Sequence, residues 1–424
     1  MVWLGNKAGE NKPRDLYDGY CANSGGPVAY SNAQWHSRAC HNRGNEIKDQ
    51  IEKTFKFIDQ LSDSSPQAII MKKMFSLVLI AAAFYLPSSA QKVDKVKFFE
   101  EESVVNTTIE MDLKDLLAKK AKERFLPGTM TMTFKDGKTV TEKIKASARG
   151  NFRRETCFMP GLKVDFKTAD SNSSLSKFKE LKLSNGCSPG DDPGQLVIKE
   201  YLVYKIYNIL TDMSLRVRLL NISYKDLSGK RKPYTQYGFL IEDVDEMAKR
   251  NKMTEIEGTQ YYTEQTNRDQ MTLVTLFEYL IGNTDWSVPA YHNVKLIGPK
   301  EDKSVRPYVV AYDFDICGFV DPPYATIDEQ LQEKISNVRE RLNRGFPRTM
   351  DELKTAVKLF NERKEKIMNL VKNNEYLSSR NKSTAVQYIE DFYKTINDDK
   401  DLKRIFVDGG RTASVGSSQP AVGN

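Results

Sequence analysis

The sequence predicts an α+β fold with two lobes, an antiparallel-sheet N-lobe that contains one main helix and a mostly helical C-lobe. Three patterns support this prediction. Alternating apolar and polar segments with turn residues between them dominate residues 91–245, one long helical pattern interrupts them, and helical spacing dominates residues 246–408. The two ends of the chain lack both patterns.

A segment inside the chain has the three parts of an export signal. Two lysines follow Met71, a short apolar run comes next, and the small residues Ser88-Ser89-Ala90 end it. The apolar run is shorter than the roughly 20 residues that cross a bilayer. We therefore expect a signal peptide at 71–90, no transmembrane anchor after cleavage, and a mature protein that is secreted, periplasmic or at the cell surface.

The ends of the chain give little from which to build a core. Residues 1–70 show no sustained hydrophobic period and are scattered with Gly, Asn and Pro. We predict a non-native or disordered extension, with translation starting at Met71; the alternative is a short cytosolic extension with one helix near 47–61. Residues 409–424 form a low-complexity tail, which we predict to be disordered.

Composition and charge exclude some classes of function. The net charge is +7, and the 64 Lys and Arg are interspersed with the 57 Asp and Glu, which argues against nucleic acid as the main partner. His292 is the only histidine after residue 90, so a His-rich metal site or a His-dependent triad lacks residues. Cys157 and Cys187 could pair in an exported chain and leave Cys317 free; alternatively, all three are small buried hydrophobic residues.

The predicted N-lobe begins with a β-hairpin and continues as sheet. GTMTMTFKDGKTVTEKIKASARG alternates on both sides of Asp136-Gly137, a turn pair that matches strand twist. RGNFRRETCFMPGLKVDF gives a turn and a strand, and FKELKLS a further short strand. Two more strands, VRLLNISYKD and RKPYTQYGFLIEDVDE, flank Gly229.

The main helix of the N-lobe begins at GDDPG, where Asp192 fits the cap position and Pro193 the first helical position. Its apolar stripe consists of Leu196, Val203, Tyr207 and Leu210. Glu200 lies inside this stripe. Because burying an unpaired carboxylate is costly, we expect Glu200 to have a cation or hydrogen-bond donors beside it.

The C-lobe opens with a second amphipathic helix, NRDQMTLVTLFEYLIGNTDW, which stops at Gly282. Its inward residues are Leu273, Leu276, Phe277 and Leu280. From Ile327 to Phe406 the pattern predicts helix almost throughout.

A group of acidic and amide residues follows this helix. NVKLIG and YVVAYDFD read as a hairpin, whose antiparallel pairing should bring Asn293 opposite Tyr312 and Asp313. Asp313 and Asp315 should share one face, with Phe314 pointing the opposite way. The loop GNTDW delivers Asp285 to the same rim.

Carboxylates that converge without a cation repel one another unless a metal or a proton compensates. Oxygen ligands favour Mg²⁺, Ca²⁺ or Mn²⁺ over zinc. Each residue alone also has an ordinary structural role: Asn293 as a turn former, Asp285 as a loop cap and Asp313 as a solvated charge. The ordered set favours a metal site.

The chain resembles the CotH kinase family, named for a spore-coat protein kinase, over roughly Lys143–Asp321. The similar segments are RGNFRRE with LKVDF, LKL, QLVIKEYLVYKIYNIL, YGFLIEDVDE, GNTDW and YDFD. The resemblance implies an atypical protein-kinase-like fold that uses ATP and Mg²⁺ or Mn²⁺. It further implies that Asp285 is the catalytic base and that Asn293 and Asp313 are metal ligands.

The chain departs from the usual kinase pattern at three points. The gap from Asp285 to Asn293 is longer than in the usual catalytic loop, which makes Asn283 a reserve ligand. Asp315 stands where many kinases have Gly and is either a second metal ligand or an accident. The familiar glycine-rich loop is absent, and residues 149–151 are a weak substitute.

The resemblance also implies a nucleotide site. A strand lysine held by the helix carboxylate Glu200 should contact the phosphates. Lys182 is the first candidate and Lys163 the second. Glu242 resembles the residue that joins the lobes in this family, where backbone groups hold adenine.

The first functional hypothesis is an exported atypical kinase that transfers the γ-phosphoryl group of ATP to Ser or Thr of a protein in the envelope or extracellular space. The alternative is a catalytically inactive relative that serves as a surface binding protein. Transfer of a nucleotidyl group is a third, weaker hypothesis. A hydrolase is disfavoured because it would need a nucleophile beside His292, the only histidine after residue 90.

Overall fold

The computed structural model describes residues 95–118, 120, 124–167, 175, 177–188, 191–302 and 304–411. All of them belong to a compact unit that spans Ala90–Asn424. The predicted N-terminal extension, the predicted signal peptide and the part of the predicted tail beyond Arg411 lie outside these residues. In the described part of the chain, no helix has both the length and the hydrophobicity needed to cross a bilayer.

Seven strands close into a barrel in the order β1-β2-β3-β4-β5-β7-β6. They are β1 (Val105–Met111), β2 (Leu126–Thr133), β3 (Thr139–Arg149), β4 (Gly161–Asp165), β5 (Glu180–Asn185), β6 (Val217–Asp226) and β7 (Tyr234–Ile241). Alternate side chains fill the interior because successive residues of a strand point to opposite faces. Met130, Ile144, Leu162 and Leu183 are among the buried interior residues.

The predicted antiparallel-sheet N-lobe is wrong, because the sheet is mixed and closed. Strand β1, which the sequence analysis did not predict, pairs antiparallel with β2 and parallel with β6. The parallel register runs from Val105 opposite Leu220 to Met111 opposite Asp226. These pairings satisfy the backbone groups that an open sheet would leave at its edges.

The helices of the described residues are α1 (Lys95–Glu100), α2 (Leu113–Ala118), α3 (Asn151–Thr156), α4 (Asp191–Leu210), α5 (Val244–Arg250), α6 (Arg268–Ile281), α7 (Met350–Lys372), α8 (Ser379–Ile396) and α9 (Asp399–Lys403). Short 3₁₀ turns lie at Thr263–Gln265 and Glu329–Leu331, and a π turn at Arg404–Asp408. A second sheet has the order β10-β9-β8, formed by β8 (Thr254–Glu255), β9 (Val294–Gly298) and β10 (Tyr308–Ala311).

Helix α4 lies at the centre of the larger hydrophobic core, which explains why the division into two lobes is wrong. The predicted stripe is buried at Val203, Tyr207 and Leu210, but Ile198, Leu202 and Ile206 on other faces are buried as well. A single core cluster extends from α4 and the outer wall of β7 to the helices α6, α7 and α8. The predicted kinase-like two-lobed arrangement is therefore replaced by a closed barrel with helices packed against it.

Helix α6 has the ends that the sequence predicts. Asn267 accepts a hydrogen bond from the backbone N–H of Gln270 and caps the N-terminus. Gly282 has a φ of 66° and ends the helix in the left-handed conformation, which glycine adopts without strain. The loop that carries Asp285 therefore leaves α6 at a fixed point.

The predicted helix from Ile327 to Phe406 is present only in part. Irregular chain occupies 332–349, where the side-chain oxygens of Asn337 and Asn343 accept the backbone N–H groups of Arg339 and Gly345. The Arg341 guanidinium donates to the carbonyls of Tyr279 and Leu280, which lie at the end of α6. Those interactions anchor the segment without a helix of its own.

A disulfide joins Cys157 to Cys187, and Cys317 is a free buried cysteine. Of the two alternatives for Cys157 and Cys187, the structure therefore contains the disulfide. Cys157 caps the C-terminus of α3, and Cys187 follows β5 in the chain. The disulfide ties the short helix α3 to the connection between β5 and α4.

Candidate functional site

The site is centred on the segment that follows β10. Asp313 has a φ of 64°, and its backbone N–H donates to the Tyr204 hydroxyl over 3.0 Å. Phe314 is buried in the core, with its ring 4.7 Å from Tyr204 and 5.5 Å from Phe277. The strand ends at Ala311, so the predicted strand is too long. Phe314 is buried while Asp313 and Asp315 are only partly buried, which agrees with the prediction that Phe314 points the opposite way.

Asp285 is oriented by two neighbouring side chains. The Asn293 amide nitrogen donates to the Asp285 backbone carbonyl over 2.8 Å and to Asp285 Oδ2 over 3.0 Å. His292 Nε2 lies 2.7 Å from Asp285 Oδ1. The Asp285 side chain is 40% exposed, so the carboxylate is held in place and still accessible from solvent.

The hairpin register agrees with the prediction for Asn293. The backbone N–H of Tyr312 donates to the Asn293 carbonyl over 3.0 Å, directly beyond the pair Val294–Ala311. Asn293 has a φ of 53°, a left-handed conformation that asparagine tolerates better than most residues. Its amide oxygen takes no part in the bonds to Asp285 and remains a potential ligand.

Asp315 and Glu200 share a cation that the sequence analysis did not assign, Arg153. The Arg153 guanidinium lies 3.7 Å from Asp315 Oδ2 and donates to Ser184 Oγ over 3.2 Å. Ser184 Oγ donates in turn to Glu200 over 3.0 Å. Burial acts to lower the pKa of Arg153, but Asp315 and Glu200 raise it overall. The predicted need of Glu200 for a partner is confirmed.

Both carboxyls of this group are harder to ionise than usual. Burial raises the pKa of Glu200, and the charge of Asp315 raises it further while Arg153 opposes the rise. Burial also raises the pKa of Asp315, with a further contribution from Asp313. Arg153 and Arg149 oppose the rise in the pKa of Asp315 without cancelling it, and carboxyls in such surroundings recruit a proton or a metal.

The predicted pairing of Lys182 with Glu200 is wrong. Lys182 lies on the same face of β5 as Ser184, and its Nζ sits 4.9 Å from the centre of the Tyr312 ring. Burial lowers the pKa of Lys182, the nearby charge of Arg149 lowers it further, and Asp313 opposes the change. Lys182 therefore faces Asp313 and Arg149, while Arg153 takes the position beside Glu200.

Arg149 is the second cation that the sequence analysis did not assign. It ends β3, and its charge also acts on Asp315. Its Nε is buried and has no hydrogen-bond partner among the residues that the structure describes. The signal in the sequence was the RGNFRRE segment, in which Gly150, with a φ of 84°, separates Arg149 from α3.

The second lysine candidate and Glu242 lie outside this group. Lys163 is paired with Lys182 across β4 and β5, but its Nζ lies 4.0 Å from the exposed Glu180. Arg250 Nε lies 3.0 Å from Glu242 Oε1, and the backbone N–H of Arg216 donates to Glu242 Oε2 over 2.9 Å. The Glu242 carboxylate is therefore committed to a structural ion pair.

The residue types expected as metal ligands, two carboxylates and one amide oxygen, are of the kind that Mg²⁺ takes in proteins. Within the described ranges, no group of three or more His, Cys, Asp and Glu side chains could hold a metal ion. Asp313, Asp315 and the Asn293 amide provide two carboxylates and one neutral oxygen. Mg²⁺ suits such a set because it usually takes one or two carboxylates and completes its shell with water and phosphate oxygens.

Asn283, the reserve ligand, is placed elsewhere. Its side chain is 2% exposed, and its Oδ1 accepts the backbone N–H of Asp285 over 3.0 Å. It supports the loop from inside and does not face the carboxylates of the site.

An open cavity of about 440 Å³ lies beside the site, with Glu255, Glu257, Tyr291 and Lys295 in its lining. Lys295 Nζ lies 2.6 Å from Glu255, and its charge acts on Tyr312 and Lys182. This volume is in the range of small-molecule sites.

Comparison with known proteins identifies no family. No protein-family model matches the chain, and no curated protein matches it. The resemblance to the CotH kinase family therefore stays a prediction based on short motifs.

Proposed function

We propose that the chain is an exported phosphotransferase that moves the γ-phosphoryl group of ATP to a Ser or Thr hydroxyl of a protein, with Mg²⁺ or Mn²⁺. The observation that carries the proposal is the meeting of opposite charges at one place: Asp313 and Asp315 beside Arg149, Arg153 and Lys182. Phosphoryl transfer requires both, because cations bind the phosphates and carboxylates bind the metal.

The cations suit a phosphate group. The buried Nε of Arg149 lacks an acceptor among the described residues, and burying an unused donor costs free energy that an anion can recover. Guanidinium groups bind phosphate through paired hydrogen bonds, and lysine acts as a point charge. Arg149 and Lys182 would therefore hold the phosphates, and Arg153 would hold Asp315 and Glu200 in position.

The carboxylates suit the metal. Asp313 and Asp315 would bind it, with the Asn293 amide oxygen as a neutral ligand. When bound, the metal neutralises charge on the phosphate oxygens and on these two carboxylates. Burial raises the pKa of Asp315 and repulsion by Asp313 raises it further; a bound metal would compensate that repulsion.

Asp285 has the properties of a general base. It is accessible, and Asn293 and His292 fix both of its carboxylate oxygens. The acceptor hydroxyl would give its proton to Asp285 while its oxygen bonds to the γ-phosphorus and ADP leaves. The disulfide between Cys157 and Cys187 supports the exported location, since such bonds persist in oxidising compartments.

A second candidate function is that of an inactive surface binding protein. The observation in its favour is the 2.7 Å contact between His292 Nε2 and Asp285 Oδ1. An acceptor hydroxyl must compete with this contact to reach the carboxylate. If the chain is an inactive binding protein, neither the parent chain nor His292→Ala transfers phosphate. If the chain is an active kinase, His292→Ala should change the rate of phosphoryl transfer.

Nucleotide binding is tested by thermal melting of the purified chain with Mg²⁺, with ATP and with both. Saturation at about 100 times the dissociation constant stabilises a protein by about 2.7 kcal/mol. We expect a melting shift that requires ATP and Mg²⁺ together. Asp302→Asn, a change in an exposed loop aspartate, is the matched control and should keep the shift. The absence of any shift in the parent chain would contradict the proposal.

A further inference from the structure

Glu278 is a buried carboxyl that the proposed reaction does not use. It lies in the last turn of α6, is 1% exposed, and faces the core instead of the site. Neither of its side-chain oxygens has a hydrogen-bond partner among the described residues. Burying a carboxyl without hydrogen-bond partners costs free energy, and the cost is larger when the carboxyl is ionised.

The loop that carries Asp285 packs against this carboxyl through Asn283. The backbone N–H of Asn283 donates to the Glu278 carbonyl over 2.8 Å. Asn283 Oδ1 accepts the backbone N–H of Asp285 over 3.0 Å, while Asn283 Nδ2 is buried and has no partner in the described part of the chain. The Asn283 side chain thus stands between the Glu278 carboxyl and the backbone of Asp285.

Among the residues that the structure describes, no cation is paired with the Glu278 carboxyl. Its neighbours that titrate are Tyr207 on α4, Cys317 in the segment after β10, and Asp285. Of the charged groups that contact α6, Glu352 bonds to Arg268 and Arg348 to Thr272. Arg341 donates to the carbonyls of Tyr279 and Leu280, which directly follow Glu278.

The carboxyl is therefore uncharged under ordinary conditions. Burial raises the pKa of Glu278 to about 8; the adjacent Asn283 amide lowers it, and the charge of Asp285 raises it. Asn283 is close enough to act on the carboxyl, although the geometry between them falls short of a hydrogen bond.

We propose that Glu278 is a positioning residue for Asp285: its uncharged carboxyl supports the Asn283 amide, and Asn283 fixes the backbone of Asp285. The catalytic consequence rests on the proposed function, but the structural consequence does not. When Glu278 ionises, a charge appears in the core behind Asn283 and beside Asp285, and the loop must move or hydrate to accommodate it.

The structural consequence is tested with Trp286, the next residue after Asp285, which is buried. The full chain carrying Trp3→Phe and Trp35→Phe keeps Trp286 as its single tryptophan. Its fluorescence is followed from pH 6 to pH 10. We expect a transition with a midpoint near the pKa of Glu278, about 8, and we expect Glu278→Gln to abolish it. Glu365→Gln, a change at an exposed residue of α7, should keep the transition.

The catalytic consequence is tested by the pH dependence of kcat and KM for ATP. Glu278→Gln keeps a neutral amide at this position, so it should retain kcat and lose the fall in rate at alkaline pH. Glu278→Ala should lower kcat by about 10-fold to 100-fold through misplacement of Asp285, with KM for ATP within about twofold because it does not touch the phosphate-binding cations.

The outcomes separate this proposal from the proposed function. A fluorescence transition that is unchanged in Glu278→Gln overturns the positioning role, as does a Glu278→Ala variant with the parent kcat and pH profile. If the parent chain transfers no phosphate, the proposed function fails, and the fluorescence titration alone decides whether Glu278 supports the loop.

Discussion

Glu200 illustrates how far single residues could be predicted. Its position inside an apolar stripe correctly predicted a polar partner, because a buried carboxyl requires one. The identity of the partner could not be predicted from spacing along β5. Lys182 and Ser184 share one face of the strand, but the one that meets Glu200 is Ser184, and Arg153 approaches from α3. Ser184, two residues beyond Lys182 on the same face, replaces a direct ion pair with a hydrogen-bonded link between Arg153 and Glu200.

Lys182 and Lys163, the two candidate phosphate-binding lysines, should differ in their contribution to ATP binding. Lys182→Ala should remove most of the melting shift with ATP and Mg²⁺, because its charge faces Asp313 and Arg149. Lys163→Ala should leave the shift within experimental error, because this lysine is partly exposed beside Glu180. The two residues are paired on adjacent strands, so one variant is the control for the other. Equal effects of both changes would exclude the assignment of Lys182.

Helix α3 is the element that brings Arg153 into the site, and the disulfide holds this helix at its end. Cys157 follows α3 directly, and the backbone N–H of Met159 donates to the Cys187 carbonyl over 3.2 Å. The hairpin from β9 to β10 was predictable, because local alternation and antiparallel register fix which residues are opposite. The position of α3 was not, since a helix this short has no stripe of its own.

The disulfide should therefore affect both stability and ligand binding. The double change Cys157→Ser and Cys187→Ser should lower the free energy of unfolding by about 2–4 kcal/mol. It should also weaken binding of ATP with Mg²⁺, because α3 no longer holds Arg153 beside Asp315. Urea denaturation and the melting shift measure the two effects. Cys317→Ser, at the free buried cysteine, is the control, and it should leave ligand binding unchanged. Loss of stability with unchanged affinity would show that Arg153 does not depend on the disulfide.

At the scale of the whole molecule, closure of the barrel was beyond sequence analysis. Each strand predicted from Gly128 onward is present, although the bounds differ by several residues. Closure depends on the parallel pairing of β1 with β6. The sequence of neither strand by itself determines this pairing. The single continuous core could not be predicted either. Helix α4 is buried on several faces, whereas the apolar stripe in its sequence indicates only one buried face.

The buried carboxyls should make the whole fold less stable as the pH rises. The pKa of Glu278 is raised from 4.5 to about 8, and the pKa of Glu200 is raised as well. The folded state therefore binds more protons than the unfolded state in this interval, and the free energy of unfolding falls with pH. Each fully buried group contributes a slope of up to about 1.4 kcal/mol per pH unit. Glu278→Gln should flatten the profile of urea denaturation between pH 5 and pH 8, whereas a profile as steep as that of the parent would contradict the buried state of this residue.

If Asp313 binds the metal and Asp285 accepts the proton, the variants Asp313→Asn and Asp285→Asn should fail at different steps. ATP with Mg²⁺ is added to each variant, and the melting shift is measured beside radiolabelled transfer to the chain itself and to envelope proteins. We expect Asp313→Asn to lose the melting shift and the transfer together, because a neutral amide holds Mg²⁺ poorly. Asp285→Asn should keep the shift and lose about 10²-fold to 10⁴-fold in turnover. Two variants that behave alike, or a parent chain that binds ATP and transfers nothing, would contradict the account.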